Sequence, residues 1–170
     1  MGRPQIIMAA KDSNNVKAEA LTGYNCQMQQ RGKYEMPFYC NGGFGVAIKM
    51  VKNGAPDRAM KVWEVAIDDI KERMELVTEF LKSHPMPYFV GYEFCEKGFF
   101  VDGELLDILV MDWADGDCLK KYIHHLYDKN PSSETVTKNC TNWKNLYMNA
   151  SWICTQNISL TEIFNRTILL

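Results

Sequence analysis

Residues 67–82, IDDIKERMELVTEFLK, carry the clearest periodic pattern in the chain. Ile67, Ile70, Met74, Val77 and Leu81 recur at three- and four-residue spacing, which lays them along one stripe of an α-helix. Asp68 and Asp69 suit its N-terminal turn and Lys82 its C-terminal turn, and the prolines of HPMP at 84–87 stop it. The text on either side has a different period. Upstream, EMPFYCNGGFGVAIKMV (35–51) places strand formers on both sides of a glycine turn, KNG (52–54) is a hairpin signal, and RAMKVW (58–63) supplies a third strand. Downstream, YFVGYEFCEKG (88–98) and ELLDILVMDW (104–113) read as two more. Three strands, one helix and two strands predict an α+β fold: a five-stranded antiparallel sheet with one main helix.

The remaining segments are less patterned. Residues 1–33 are polar with no sustained period and are expected to form an irregular N-terminal arm. CLKKYIHHLY (118–127) predicts a short helix, 128–139 a polar loop, and Trp143, Leu146, Tyr147, Ala150 and Ile153 a last helix. With 170 residues, 46% apolar and 24% charged, the chain is large enough for one domain with a real core, or is part of a larger protein. A net charge of −2 gives no basis for binding nucleic acid or an anionic membrane, and no apolar run has the length of a membrane span. The start, MGRPQIIMAAKDS, lacks the apolar core of a secretion signal, so the expected location is the cytoplasm. Six scattered cysteines without a CxxC pair predict reduced thiols and no metal site. The sequons at Asn139, Asn149, Asn157 and Asn165 carry no weight without such a signal.

Two features point to chemistry. The glycine turn CNGGFG (40–45) contains Gly42, Gly43 and Gly45, residues that let backbone amides approach a phosphate but that also serve any tight hairpin. Lys61, set among apolar residues in AMKVW, would carry a costly charge if it faced a core without a partner. The helix that follows offers Glu72, Glu75 and Glu79 close together on one side. A lysine–glutamate pair would hold an ammonium toward a phosphate; the competing reading is a surface lysine beside a solvated acidic helix.

The pieces GGFGVAIK, AMK, IKERMELVTEFL, MPYFVGYEF and LVMDWADGDCLKKYI, taken in this order over about residues 35–126, resemble the N-lobe and hinge of a protein kinase, closest to a bacterial kinase-like group. Against the glycine-loop pattern G-x-G-x-x-G-x-V, Gly42 and Gly45 match the second and third glycines, Cys40 replaces the first, and Ala47 stands in place of the valine over adenine. The resemblance implies ATP as the cofactor, with Lys61 on its phosphates and Glu72 or Glu75 as the helix partner of Lys61. It implies that Ala59 lines the adenine pocket, that Met111 is the gatekeeper, and that Asp112 and Ala114 present hinge carbonyl and amide groups to the base. Cys118 falls near a ribose contact. Met111 and Trp113 are equally readable as core residues.

Phosphoryl transfer needs a catalytic aspartate and metal-binding groups beyond this lobe. No H-R-D, H-G-D or D-F-G triplet occurs in the chain. The resembling family continues I-S-H-G-D-L-Q-P-D-N-I where this sequence reads NISLTEIFNRTILL, so agreement stops after Ile158 and Ser159. Codon junctions across 160–168 are compatible with H-G-D-F-Q-P-D-N-I, and residues 160–170 are therefore expected to be an out-of-frame tail. The expected domains are the arm (1–33), the kinase-like N-lobe with hinge (34–117), truncated C-lobe helices (118–159) and that tail. The functional expectation is a truncated kinase-like domain, a pseudokinase that binds ATP weakly and does not transfer phosphate alone, with Mg required only by an intact parent. The alternative is a non-catalytic interaction module that docks a protein through the lower face of the lobe. His84 reads as a turn residue and His124–His125 as surface, which gives no acid–base cluster for an unrelated enzyme.

Overall fold

The computed structural model describes residues 2–83 and 90–114, together with Gly116, Lys121, His124, His125 and Asp128. The chain divides into two compact units after Ala114. In the second unit, the described positions Lys121, His124, His125 and Asp128 are helical, as the pattern over 118–127 predicts for the first three. Asp128, expected to open the polar loop at 128–139, is helical instead; the rest of that loop, the expected last helix and the tail at 160–170 lie outside the described residues.

The first unit begins with helix α1 (Arg3–Ala9), opened by a proline that is tolerated in a first turn. Two 3-10 turns follow, Ser13–Asn15 and Glu19–Leu21. The strands are β1 (Asn25–Cys26), β2 (Met28–Arg31), β3 (Tyr34–Pro37), β4 (Tyr39–Asn41), β5 (Gly45–Val51) and β6 (Arg58–Trp63). Helix α2 (Ile70–Ser83) separates them from β7 (Tyr92–Val101) and β8 (Glu104–Asp112). Among the described residues the main sheet is antiparallel in the order β1–β5–β6–β8–β7, with β4 also pairing with β5; β2 and β3 form a separate hairpin. The α+β class and the antiparallel sheet agree with the sequence, and the sheet gains a sixth strand, β1, from within the segment expected to be irregular.

That segment is the main departure. Residues 1–33 were expected as an irregular arm, but Ile6, Ile7, Ala10, Ala18, Leu21 and Tyr24 are buried in the principal core. They cover the face of the sheet formed by Val46, Ile48, Met50, Met60, Val62, Ile108 and Val110, with Phe99 and Val101 at the edge. Hydrogen bonds fix the cover: the Lys17 and Ala18 amides both donate to the Gly98 carbonyl (2.8 and 3.0 Å), and the Tyr24 hydroxyl donates to the Pro56 carbonyl (3.0 Å). Arg3 also pairs with Glu64. The segment looked unpatterned because a seven-residue helix and two turns have no common period, not because it lacks apolar residues.

Smaller differences have local causes. Helix α2 starts at Ile70, not at 67, because Asp69 is left-handed (φ 59°) and cannot belong to a right-handed helix. Strand β7 was expected over 88–98 and runs on to Val101; Lys97 (φ 51°) makes a bulge within it, and its amide is held by the Asp107 carboxylate (2.7 Å). A Cβ at Gly98 would come within 2.7 Å of the Ile108 side chain, so the bulge needs glycine. The β7–β8 turn is Asp102–Gly103, both with positive φ, as an antiparallel two-residue hairpin requires. No helix among the described residues is long and apolar enough to cross a membrane.

Candidate functional site

The second face of the sheet brings the candidate residues together. Directly opposed residues in antiparallel strands point to the same side. One rung across the sheet is Cys40, Ala47, Lys61, Leu109 and Phe94, from β4, β5, β6, β8 and β7 in turn. The adjacent rung is Lys49, Ala59, Met111 and Tyr92. Lys61 therefore lies on a central strand, between two alanines: Ala47 opposite and Ala59 two residues before it. It is 8% exposed, the one buried charged residue among the described residues, and burial pushes its pKa below the ordinary lysine value. Its strand pattern explains why: Met60 and Val62 are required in the core on the other face, so Lys61 must occupy this one.

Helix α2 lies on this same side. Its buried residues Met74, Val77 and Phe80 stand apart from the core under the N-terminal cover, and Thr78 and Glu79 share a groove of about 970 Å³ with Tyr92 and Phe94. Glu72 and Glu75 both occupy solvent-exposed positions on α2. Lys71 beside them reaches β7 instead, where its ammonium pairs with Glu96 (2.8 Å).

The glycine turn closes the far end of β5. The Gly42 amide donates to the Gly45 carbonyl (2.9 Å), and the tip residue Phe44 is exposed. Gly45 has a structural reason of its own: a Cβ there would sit 2.2 Å from the Val62 carbonyl oxygen, so β5 can approach β6 this closely only without a side chain. A Cβ at Gly43 would meet open space.

At the opposite end, β8 runs into 112–114 through half-buried Met111. The Asp112 amide donates to the Gly91 carbonyl (2.9 Å) and the Trp113 amide to the Asp57 carbonyl (3.1 Å). The hinge groups that the kinase resemblance calls on are the neighbouring ones, the Asp112 carbonyl and the Ala114 amide. Lys49, Asp57 and Trp113 at this end were not singled out as binding residues from sequence. The Lys49 ammonium is 2.9 Å from the Asp57 carboxylate and 5.0 Å from the centre of the Trp113 ring, and the Phe38 ring meets that indole edge-on. The only sequence signal for Lys49 was its alternation with Ala47 along β5. Cys118 and the His84 turn lie outside the described residues. Among the described residues no three metal-ligating side chains cluster.

Tyr92 has an unusual environment on this face. Its hydroxyl oxygen is buried, and the group beside it is the Thr78 hydroxyl, which donates to the Met74 carbonyl (2.7 Å) and keeps lone pairs that can accept from the phenol. Burial pushes the phenol pKa from 10 up to about 12. A raised folded-state pKa means that the folded chain holds a proton the unfolded chain releases between these values. The associated stability is complete below pH 10 and is lost as the pH rises through 12. Tyr92→Phe should therefore flatten the fall in unfolding free energy between pH 10 and 12. Urea titrations at pH 9 and pH 11.5 check this; equal pH slopes in the two proteins would exclude this environment for Tyr92.

No protein-family model, curated protein or solved structure matches this chain.

Proposed function

We propose that residues 34–114 form a protein-kinase-like nucleotide-binding lobe that takes ATP between the glycine turn and the hinge. The observation that carries this reading is the pair of rungs around Lys61. One face of one sheet holds a buried lysine and two buried alanines, with a glycine turn at one end and the 112–114 segment at the other. In this reading Lys61 donates to the phosphates, where a charge-assisted bond is strongest in a partly dry site. Ala47 and Ala59 contact the base, Met111 limits the depth of the pocket, and the Asp112 carbonyl and Ala114 amide read the base edge. Glu72 or Glu75 steadies the lysine from α2. The chain carries no H-R-D, H-G-D or D-F-G triplet, so the function proposed is binding and not transfer.

The second reading is a non-catalytic interaction module. Gly45 favours it, because the Val62 carbonyl accounts for that glycine without any phosphate. Calorimetric titration with Mg–ATP separates the two. The unsubstituted chain should bind, and Lys61→Met should weaken binding by roughly tenfold or more, the worth of one charge-assisted hydrogen bond. Equal affinity in both proteins removes Lys61 from the site. Absence of binding in both removes the nucleotide and leaves the module.

A further inference from the structure

Two consecutive residues where the chain enters β6, Asp57 and Arg58, grip two consecutive residues where it leaves β8, Asp112 and Trp113. Asp57 accepts the Trp113 amide on its carbonyl (3.1 Å), while its carboxylate holds the Lys49 ammonium (2.9 Å). That ammonium in turn lies over the Trp113 ring, 5.0 Å from its centre, a favourable cation–π distance. Arg58, the next residue, pairs through a guanidinium nitrogen with Asp112 (2.7 Å), whose second carboxylate oxygen accepts the Gly91 amide (3.1 Å). Phe38 closes the remaining side of the indole, with ring centres 5.8 Å apart at 79°. Residues 112 and 113 are thus held by backbone, charge and ring contacts from Lys49 of β5, from Asp57 and Arg58 at the entry to β6, from Phe38 between β3 and β4, and from Gly91. Lys49 is 15% exposed, so its ion pair is shielded from solvent more than a surface pair would be.

We propose that Lys49, Asp57 and Arg58 are positioning residues that set the hinge for base recognition. This rests on the nucleotide reading above. Two backbone groups can read a base edge only if the segment carrying them is fixed before the ligand arrives, because ordering it on binding would subtract from affinity. Asp112 carries the first of these groups and Trp113 links it to the second, on Ala114, and the clamp fixes Asp112 and Trp113. Lys49 stands one rung beyond Lys61 toward the hinge, so the clamp acts on the base end of the site and leaves the phosphate end alone.

The test compares ATP with inorganic tripolyphosphate, which carries the phosphates and no base. Calorimetry on the full chain should show that Lys49→Met and Asp57→Asn each weaken ATP binding roughly five- to tenfold while tripolyphosphate affinity stays within about twofold. Lys61→Met should weaken both ligands. Lys49→Arg, which keeps the ion pair and the cation over the indole, should restore most of the ATP affinity, a rescue that loss of general stability would not give. Unchanged ATP affinity in Lys49→Met and Asp57→Asn, or equal losses for both ligands, overturns the clamp while the nucleotide reading stands. Failure of the unsubstituted chain to bind ATP overturns the nucleotide reading, and the clamp's role falls with it.

Discussion

Removing residues 2–24 should abolish the cooperative fold of the first unit. The deletion uncovers Val46, Ile48, Met50, Met60, Val62, Ile108 and Val110, which line one whole face of the sheet, and strips the hydrogen bonds at Gly98 and Pro56. Burial of each such side chain is worth roughly 1.5–3 kcal/mol, so the loss exceeds the whole stability of an ordinary domain. A gentler version of the experiment is Ile6→Ala. Ile6 is fully buried, and truncating it should cost about 2–5 kcal/mol through lost transfer energy and the cavity left behind. Circular dichroism melts of the two variants give the answer. A deletion variant that melts as sharply and as high as the full chain would mean that the segment is an appendage after all.

Val77→Asp should have an effect of similar size on the other face. Val77 is fully buried in α2, between Met74 and Phe80 on the stripe that meets the sheet. A carboxylate there replaces apolar packing with Met74 and Phe80, and burying a charge in such surroundings costs roughly 3–5 kcal/mol on top of the lost methyl packing. The expected result is an insoluble or molten chain at neutral pH, with partial recovery in acid, where the carboxyl is neutral. Native-like amide dispersion in an NMR spectrum of Val77→Asp at pH 7 would contradict the placement of α2. The two experiments complement each other, because each attacks the cover of one side of the same sheet.

Both predictions bear on what the sequence disclosed. α2 and the strands β4 to β8 were legible because each has one dominant period: three and four for Ile70, Met74 and Val77, and two for the residues around Lys61. Lys61 itself was legible as a charge where its neighbours are apolar. The cover over the first face was hidden, since Ile6, Ile7, Ala10, Ala18, Leu21 and Tyr24 sit on a short helix, two turns and the residues between, and no window of fixed period collects them. The start of α2 was misplaced by a single left-handed residue, Asp69, whose sequence alone favours a first helical turn. The cluster of ion pairs around Trp113 was hidden for a different reason. Lys49, Asp57, Arg58 and Trp113 come together only when β5, β6 and β8 are in their final register, and register is a property of three strands at once.

The bond from the Lys17 and Ala18 amides to the Gly98 carbonyl joins points roughly eighty residues apart in the chain. Residues 2–24 are synthesised before the surface they cover, which includes Ile108 and Val110 near the end of the unit. Until then Ile6, Ile7 and Leu21 have nothing to bury them. Contacts of such long sequence separation slow folding, because the loop must close before its contacts offset the entropy of closing it. The cover of this face thus completes only after β8 has been made, and the apolar side chains of the N-terminal segment have no native surface to bury against during the interval.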